Sequence, residues 1–342
     1  MKKSPLFLLL LMAALSTTAQ DMQYSQFYSN PVYLNPAFVG TSHDTRVAFN
    51  HRILWPSLPS VFTSTSASFD YSAVHYNSGF GFLINSEAQG TVDLETTTSS
   101  FIYSYHAVIH KTLVVQPAIK LGHAIRGFDQ SKLILGDQLN FGGGIVSQDP
   151  GLRNFRLKNY WDVGGGLLVY TDRYWFGVGV DHINRPNISL LGGVDELAIR
   201  YSFHFGGRFI LIKHLPTGRV PASVAPSILY KRQGNFQQLD VGASIHMQPL
   251  VLGAYYRGIP ILPSIEGSNQ INQDAIIFQV GFEYASFEIG YSFDIQLSKF
   301  DVVTGGGAHE FAMQYNFELP WKNRKKPRRK LHCPAFLHGL HH

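Results

Sequence analysis

The chain has 342 residues, a formal net charge of +5, one cysteine, 13% aromatic residues and only 15% charged residues, against roughly 25% charged in an average soluble protein. Low charge and 45% apolar residues exclude a disordered polyelectrolyte, and the lone Cys333 excludes an intramolecular disulfide. No stretch beyond the N-terminus reaches the roughly 18 uninterrupted apolar residues of a membrane helix.

The first element predicted in chain order is an export signal over residues 1–19. Lys2 and Lys3 form a positive start, Leu6 to Leu15 an apolar run, and Ser16-Thr17-Thr18-Ala19 a small-residue cleavage region that leaves Gln20 as the expected mature N-terminus. Residues 20–44 follow, rich in aromatics and proline (Tyr24, Phe27, Tyr28, Pro31, Tyr33, Pro36, Phe38) and without strand period. They read as an ordered segment packed inside a barrel as a plug.

From residue 45 the chain alternates. Ile276, Phe278, Val280, Phe282 and Tyr284 are separated by Gln279, Gly281 and Glu283, and the runs 286–296 and 307–318 repeat the pattern. Side chains of a strand point to opposite faces with period two, so each run has one greasy and one polar face. Each is about ten residues long, the length a tilted strand needs to cross a bilayer. A soluble antiparallel sheet alternates too. The density of Phe and Tyr on one face, and of Gly, Ser, Gln, Glu and His on the other, favours a transmembrane barrel with a polar lumen. Tyr160, Trp161, Tyr174, Trp175 and Trp321 are expected in its interfacial girdles.

The predicted fold is therefore all-β, a single antiparallel outer-membrane barrel over residues 45–320. Fourteen strands are expected, at 45–51, 61–71, 78–88, 95–109, 112–127, 160–171, 174–183, 198–211, 224–233, 235–247, 250–259, 274–285, 286–296 and 307–318. With both mature termini in the periplasm, the first, fifth, seventh, eleventh and thirteenth connections are the long outer ones. The eighth is long and the ninth short, against that rule.

A basic tail, 321–342, closes the chain, with Lys322, Arg324, Lys325, Lys326, Arg328, Arg329 and Lys330. Without these seven charges and Lys2 and Lys3, the remainder carries −4, so the high pI reports the tail and not a nucleic-acid-binding surface. Lys325, Lys326, Arg328 and Arg329 are candidates for contact with lipid phosphate or an acidic periplasmic protein.

Little in the sequence points to chemistry. Gly142-Gly143-Gly144 and Gly164-Gly165-Gly166 open no helix, as a phosphate cradle requires; glycine within a strand allows close backbone approach or a bend in the wall. His332, Cys333, His338, His341 and His342 lack the paired spacing of a structural zinc site, and Cys333 reads as a packing residue or an unpaired thiol. His204 and His246 lie on polar-face positions, and no placed Ser–His pair is evident. No enzyme activity, cofactor or metal is expected. Arg200, Arg208, Asp240, Glu283, Glu288, Asp294, Glu310 and Glu318 share the lumen face, where they line a channel or form an ion-pair network to the N-terminal segment. The need to bury that segment favours the network. Apolar residues in the connections 129–159, 184–197 and 259–273 suggest a partner surface: Ile188, Leu190 and Leu191, and Ile261, Leu262 and Ile265.

The stretch Ser25-Gln26-Phe27-Tyr28 through Asn30-Pro31-Val32-Tyr33-Leu34-Asn35-Pro36-Ala37-Phe38-Val39-Gly40 resembles the PorP/SprF family of outer-membrane proteins. So do Gly164-Gly165-Gly166, Tyr174-Trp175-Phe176-Gly177, His182, Pro186, Gly306, His309, Glu310 and Cys333-Pro334-Ala335-Phe336. The ending His338-Gly339-Leu340-His341-His342 runs past the family's usual stop. The resemblance implies a role in type IX secretion: delivering or holding a secreted adhesin with a C-terminal sorting domain, in some members for gliding motility, with secretion-machine components and outer-membrane lipid as further partners. The alternative is a passive channel for small or hydrophobic solutes.

Overall fold

The computed structural model describes residues 21–42, 45–58, 61–90, 93–128, 157–190, 192–212, 222–263, 271–297, 305–319, 331 and 333–336. Its strands are β1 (Thr45–Leu54), β2 (Phe62–Ala73), β3 (Ser78–Gln89), β4 (Leu94–Tyr105, continued by Ala107–His110), β5 (Leu113–Gly127), β6 (Lys158–Tyr170) and β7 (Tyr174–Asp181). There follow β8 (Arg200–Gly207, continued by Phe209–Ile212), β9 (Ala222–Gln233), β10 (Phe236–Met247), β11 (Leu250–Pro263), β12 (Ile271–Tyr284), β13 (Phe287–Gln296) and β14 (Ala308–Phe317). Every neighbouring pair is antiparallel, and β1 pairs with both β2 and β14, from Thr45↔Phe317 to Leu54↔Ala308. With β8 paired to β7 and β9, the fourteen strands close into one ring. Closure leaves no sheet edge along the wall, the condition for a sheet to stand in lipid. Among the described residues no helix is long and apolar enough to cross a membrane.

The alternation sets the two faces. Phe278, Val280 and Phe282 of β12 and Phe311, Met313 and Tyr315 of β14 face outward and are exposed, while Gly290, Ser292, Asp294, Glu310, Ala312 and Gln314 are buried inside. Tight connections at 74–77, 111–112, 171–173, 248–249 and 285–286 gather at one end, and most of the longer ones at the other. In bacterial outer-membrane barrels the short turns face the periplasm. Two aromatics expected in the girdle point inward instead: Trp175 is buried and Tyr160 half-buried, whereas Trp161 and Tyr174 are exposed as expected. Period two decides this, since adjacent residues cannot share a face.

Residues 21–42 lie within the ring. Asn30-Pro31 and Asn35-Pro36 each begin a helical turn, α1 (Pro31–Leu34) and a 3₁₀ turn at Pro36–Phe38. Proline costs nothing at a first helical position, where the N–H has no intrahelical partner, and the Asn35 side chain caps the second turn by accepting from Ala37 N at 2.9 Å. The segment starts at Asp21, beside Gln233 and Arg200 at the long-connection end. It descends to Tyr28, whose hydroxyl accepts from Trp175 Nε1 at 2.9 Å, and returns to Tyr33 beside Arg200. It ends at Gly40 near Gly79 and His106 at the short-turn end, where β1 begins. Asp21 and Thr45 are thus at opposite ends of the barrel.

The lumen is also less polar than alternation implies. Val114, Leu168, Tyr170, Trp175, Leu229, Tyr255 and Ile277 project inward and form one apolar cluster with Phe27, Leu34 and Phe38. Cys333, with 1% exposure, joins that cluster, and Leu331 and Ala335 pack on it. This part of the C-terminal stretch therefore folds back onto the barrel, because the apolar mouth left around Phe27 and Trp175 offers burial that water does not.

Candidate functional site

Three sets of buried charges fasten the inner segment to the wall. In the first, Ser25 Oγ donates to Asp294 Oδ2 at 2.6 Å and accepts from Arg52 Nη1 at 2.6 Å and Arg257 Nη2 at 3.0 Å. Ser25 N and Gln26 N donate to the two oxygens of Glu310 at 2.6 and 3.1 Å. Arg52 pairs with Asp294, and Arg257 bridges Asp240 and Asp294. In the second, Arg46 Nε pairs with Asp70 at 2.7 Å while Asp70 accepts from Gly40 N at 2.8 Å and Phe38 O accepts from Arg46 Nη2. In both, a carboxylate on the wall takes donors from the segment's backbone, the bonds that are strongest when desolvated.

The third set is centred on His182. Its two ring nitrogens each lie 2.7 Å from a carboxylate, Nδ1 from Asp162 and Nε2 from Asp21. Burial alone would depress its pKa, but the flanking carboxylates raise it to about 9, so the ring is doubly protonated and donates twice at neutral pH. Burial would raise the Asp21 carboxyl, but His182 and Arg200 hold it well below the usual carboxylate range. Lys120 pairs with Asp162 and Asp181, and Arg200 with Asp21 and Asp181. His182 sits at φ +59°, a left-handed backbone that a non-glycine residue keeps only when its surroundings fix it.

Glycines make the room. A Cβ on Gly79 would lie 2.6 Å from Val39 O, and one on Gly81 2.7 Å from Val39 Cγ2. One on Gly166 would collide with Asn35 Oδ1, and one on Gly177 would lie 2.8 Å from Asn35 Nδ2. Gly166 and Gly177 thus make the room that the Asn35 side chain occupies. Asn35 Nδ2 also lies 3.1 Å from Nε2 of the buried His204, whose ring stacks on Phe38 at 5.0 Å.

Of the lumen charges expected from the sequence, Arg200, Asp240, Glu283, Asp294 and Glu310 are buried inside, Arg208 and Glu288 are half-buried, and Glu318 is exposed. Sequence reading missed Arg46, Arg52, Asp70, Lys120, Asp162, Asp181 and Arg257. Each stands at an inward position of its strand, so the signal was present in the alternation. Ser244 Oγ lies 3.1 Å from His246 Nε2, a pair the sequence reading also missed. Glu283 is 3.8 Å from the other ring nitrogen, beyond hydrogen-bond reach.

The partner residues expected in the connections fare differently. Ile188 is buried, and its N–H donates to Asp195 O beside the Asn187↔Glu196 bridge, so it is not an exposed contact. Leu190 is half-buried. Ile261 and Leu262 belong to β11, not to a loop, since pairing with β12 runs out to Pro263↔Ile271. Leu191, Ile265 and the tail residues Lys325, Lys326, Arg328 and Arg329 lie outside the described residues, as does the export signal. Above the inner segment, floored by Asp21, Met22 and Gln23, is a cavity of about 710 Å³ whose walls include Trp55, Phe62, Glu87, Arg126 and Phe236.

The family model for the type IX secretion system membrane protein PorP/SprF matches residues 16–315. The chain belongs to the PorP/SprF family. It is a type IX secretion-linked protein of the outer membrane. No curated protein matches it in sequence. Among solved structures it is similar to the toluene transporter TbuX of Ralstonia pickettii, at 12% identity and TM-score 0.45 over 84% of this chain and 93% of that one. It is also similar to CdiB from Acinetobacter baumannii, at 11% identity and TM-score 0.41 over 81% of this chain and 60% of that one. A FadL homologue of Pseudomonas aeruginosa matches at 10% and 0.40, over 83% and 93%. None of these likenesses reaches past the barrel itself. Several of the residues that carry the PorP/SprF resemblance meet: Ser25 and Gln26 on the segment bond to Glu310, and Asn35 packs against Gly166 and Gly177 on the wall.

Proposed function

We propose that this PorP/SprF protein is a non-enzymatic scaffold that binds a secreted adhesin through its C-terminal sorting domain and helps deliver or retain it at the cell surface, in the service of gliding motility or adhesion. The contact surface is the long-connection end: the cavity above Asp21 and the connections around it, with Leu190, Leu191, Ile261, Leu262 and Ile265 as candidate contacts. The basic residues Lys325, Lys326, Arg328 and Arg329 serve the machinery or lipid on the other side.

The observation that carries this reading is the filled lumen. A segment ion-paired through Asp21 to His182 and Arg200, and hydrogen-bonded to buried charges of β1, β2, β11, β13 and β14, makes a rigid scaffold and a poor conduit, and recognition on rigid scaffolds is carried by the long loops. The first test removes residues 187–195 while keeping Asn184, which bonds to Trp161 O and Val163 N and so ties off β6. Adhesin is expected to appear in the medium, with the barrel still present and still migrating as a folded species. Unchanged surface adhesin would sink the reading.

A further inference from the structure

Four inward arginines of the wall, Arg46, Arg52, Arg200 and Arg257, each pair with a carboxylate. The inner face of β3–β5 toward the long-connection end is different. There Asn85 Oδ1, Ser100 Oγ and Arg126 Nε are buried without a hydrogen-bond partner among the described residues. Asn85 and Ser100 are 7% and 0% exposed. A buried polar atom left unpaired is costly, so three of them on adjoining strands call for an occupant.

The register sets these groups side by side. Asn85 stands opposite Thr98 and Glu87 opposite Thr96 across β3–β4, while Thr96 stands opposite Arg126 and Ser100 opposite Gly122 across β4–β5. Residues two apart in a strand share a face, so these side chains form one inward patch. With Tyr33 and Tyr160 they line a narrow cleft. The cleft shares Asp21, Met22, Glu87, Gln89 and Arg126 with the cavity of about 710 Å³ and is a side arm of it. Gly122 keeps the arm open, since a Cβ there would lie 2.7 Å from Ser100 Oγ.

The chemistry of the arm narrows its occupant. Lys120, His182 and Arg200 are spent on Asp21, Asp162 and Asp181. What remains is one guanidinium, Arg126, and one carboxylate, Glu87. Thr96 stands between them, and two strand spacings separate them, about 10 Å at their Cα atoms. One charge of each sign leaves no net field for an ion. The groups between are hydroxyls and an amide, which donate and accept alike. Such a wall gives a peptide side chain no apolar pocket, whereas the hydroxyls of a sugar match it one for one. Flat apolar faces for the ring stand beside it, Tyr160 in the arm and Trp55, Phe62 and Phe236 in the cavity. We infer that the arm between Glu87 and Arg126 is a binding site for a neutral saccharide unit, entered from the long-connection end. The inference does not rest on the adhesin reading: a barrel that holds no adhesin still binds the sugar.

The test uses the purified full chain in lauryldimethylamine oxide, a detergent without a sugar headgroup. Saturation-transfer NMR measures binding of D-glucose, D-galactose, D-mannose, L-rhamnose and N-acetyl-D-glucosamine, with the blocked peptide acetyl-trialanine amide as comparison. At least one sugar is expected to bind saturably, and the peptide not to compete. Asn85→Ala and Arg126→Ala are each expected to weaken that binding about tenfold, the loss of one hydrogen bond made away from water. Ser99→Ala, which faces outward on the same strand as Ser100, leaves it unchanged. Heat-modifiable migration reports that each variant is folded. No sugar saturating below about 10 mM would overturn the inference, because water alone then fills the arm. Preference for the peptide, or sugar binding that ignores both Asn85→Ala and Arg126→Ala in folded barrels, would overturn it too.

Discussion

The hydroxyl of Ser25 touches Arg52, Arg257 and Asp294, side chains from three strands that are more than 200 residues apart in sequence at their extremes. A residue that small can do this only because every partner already points at the barrel axis. His182 works similarly, clamped between Asp21 and Asp162, and it carries a pH dependence. Its pKa is raised from 6.5 to about 9 in the folded protein. A raised folded pKa means the contribution is fully present below pH 6.5 and is lost as pH rises through about 9. Hydrogen exchange at residues 21–24 is therefore expected to speed up between pH 7 and pH 10 beyond the intrinsic base-catalysed trend. His182→Gln removes that excess; an excess that survives in the variant refutes the clamp.

At the scale of elements, the inner segment is held more by charge than by its own structure. α1 is four residues long and could not persist alone in water. Breaking a buried pair by removing one partner costs about 3–5 kcal/mol, because the other charge is left stranded. The double variant Arg52→Gln, Arg257→Gln strands Asp294, Glu310 and Asp240 together. It is expected to leave the barrel intact, since the ladder bonds of β1 and β11 are untouched, while making residues 21–42 cleavable by added protease. Planar bilayers should then show higher conductance than with the intact protein. A variant as resistant and as silent as the parent would mean that the apolar contacts of Phe27 and Phe38 suffice.

At the scale of the whole molecule, residues far apart in sequence meet inside the ring. Phe27 near the start and Cys333 near the end belong to one apolar cluster, and Tyr170 and Arg208 reach the backbone of Leu331 and Pro334 at 3.4 and 3.5 Å. Burial pushes the Cys333 thiol up to about 12, so almost no thiolate exists at neutral pH. Maleimide is expected to leave Cys333 unmodified in the folded barrel at pH 7 and to label it fully once the protein is denatured. Rapid labelling of the folded form would show that the C-terminal stretch is undocked.

Period two and the aromatic face were enough to define a closed barrel of fourteen strands, most boundaries within two or three residues, because face alternation is a local property that each strand writes by itself. The larger differences arose at strand ends, as at Ile261 and Leu262, which fall within β11 at a register irregularity before Pro263↔Ile271. In the sequence, residues 20–44 stand out by their lack of period and their aromatic and proline content, and Gly164-Gly165-Gly166 reads as close backbone approach or a bend in the wall. The sequence could not say which wall residue meets which segment residue. That Glu310 receives Ser25 and that Gly166 receives Asn35 are contacts between positions more than a hundred residues apart. They exist only once ring closure has fixed every inward side chain around one axis, and burial there makes each charge depend on a partner that linear order does not reveal.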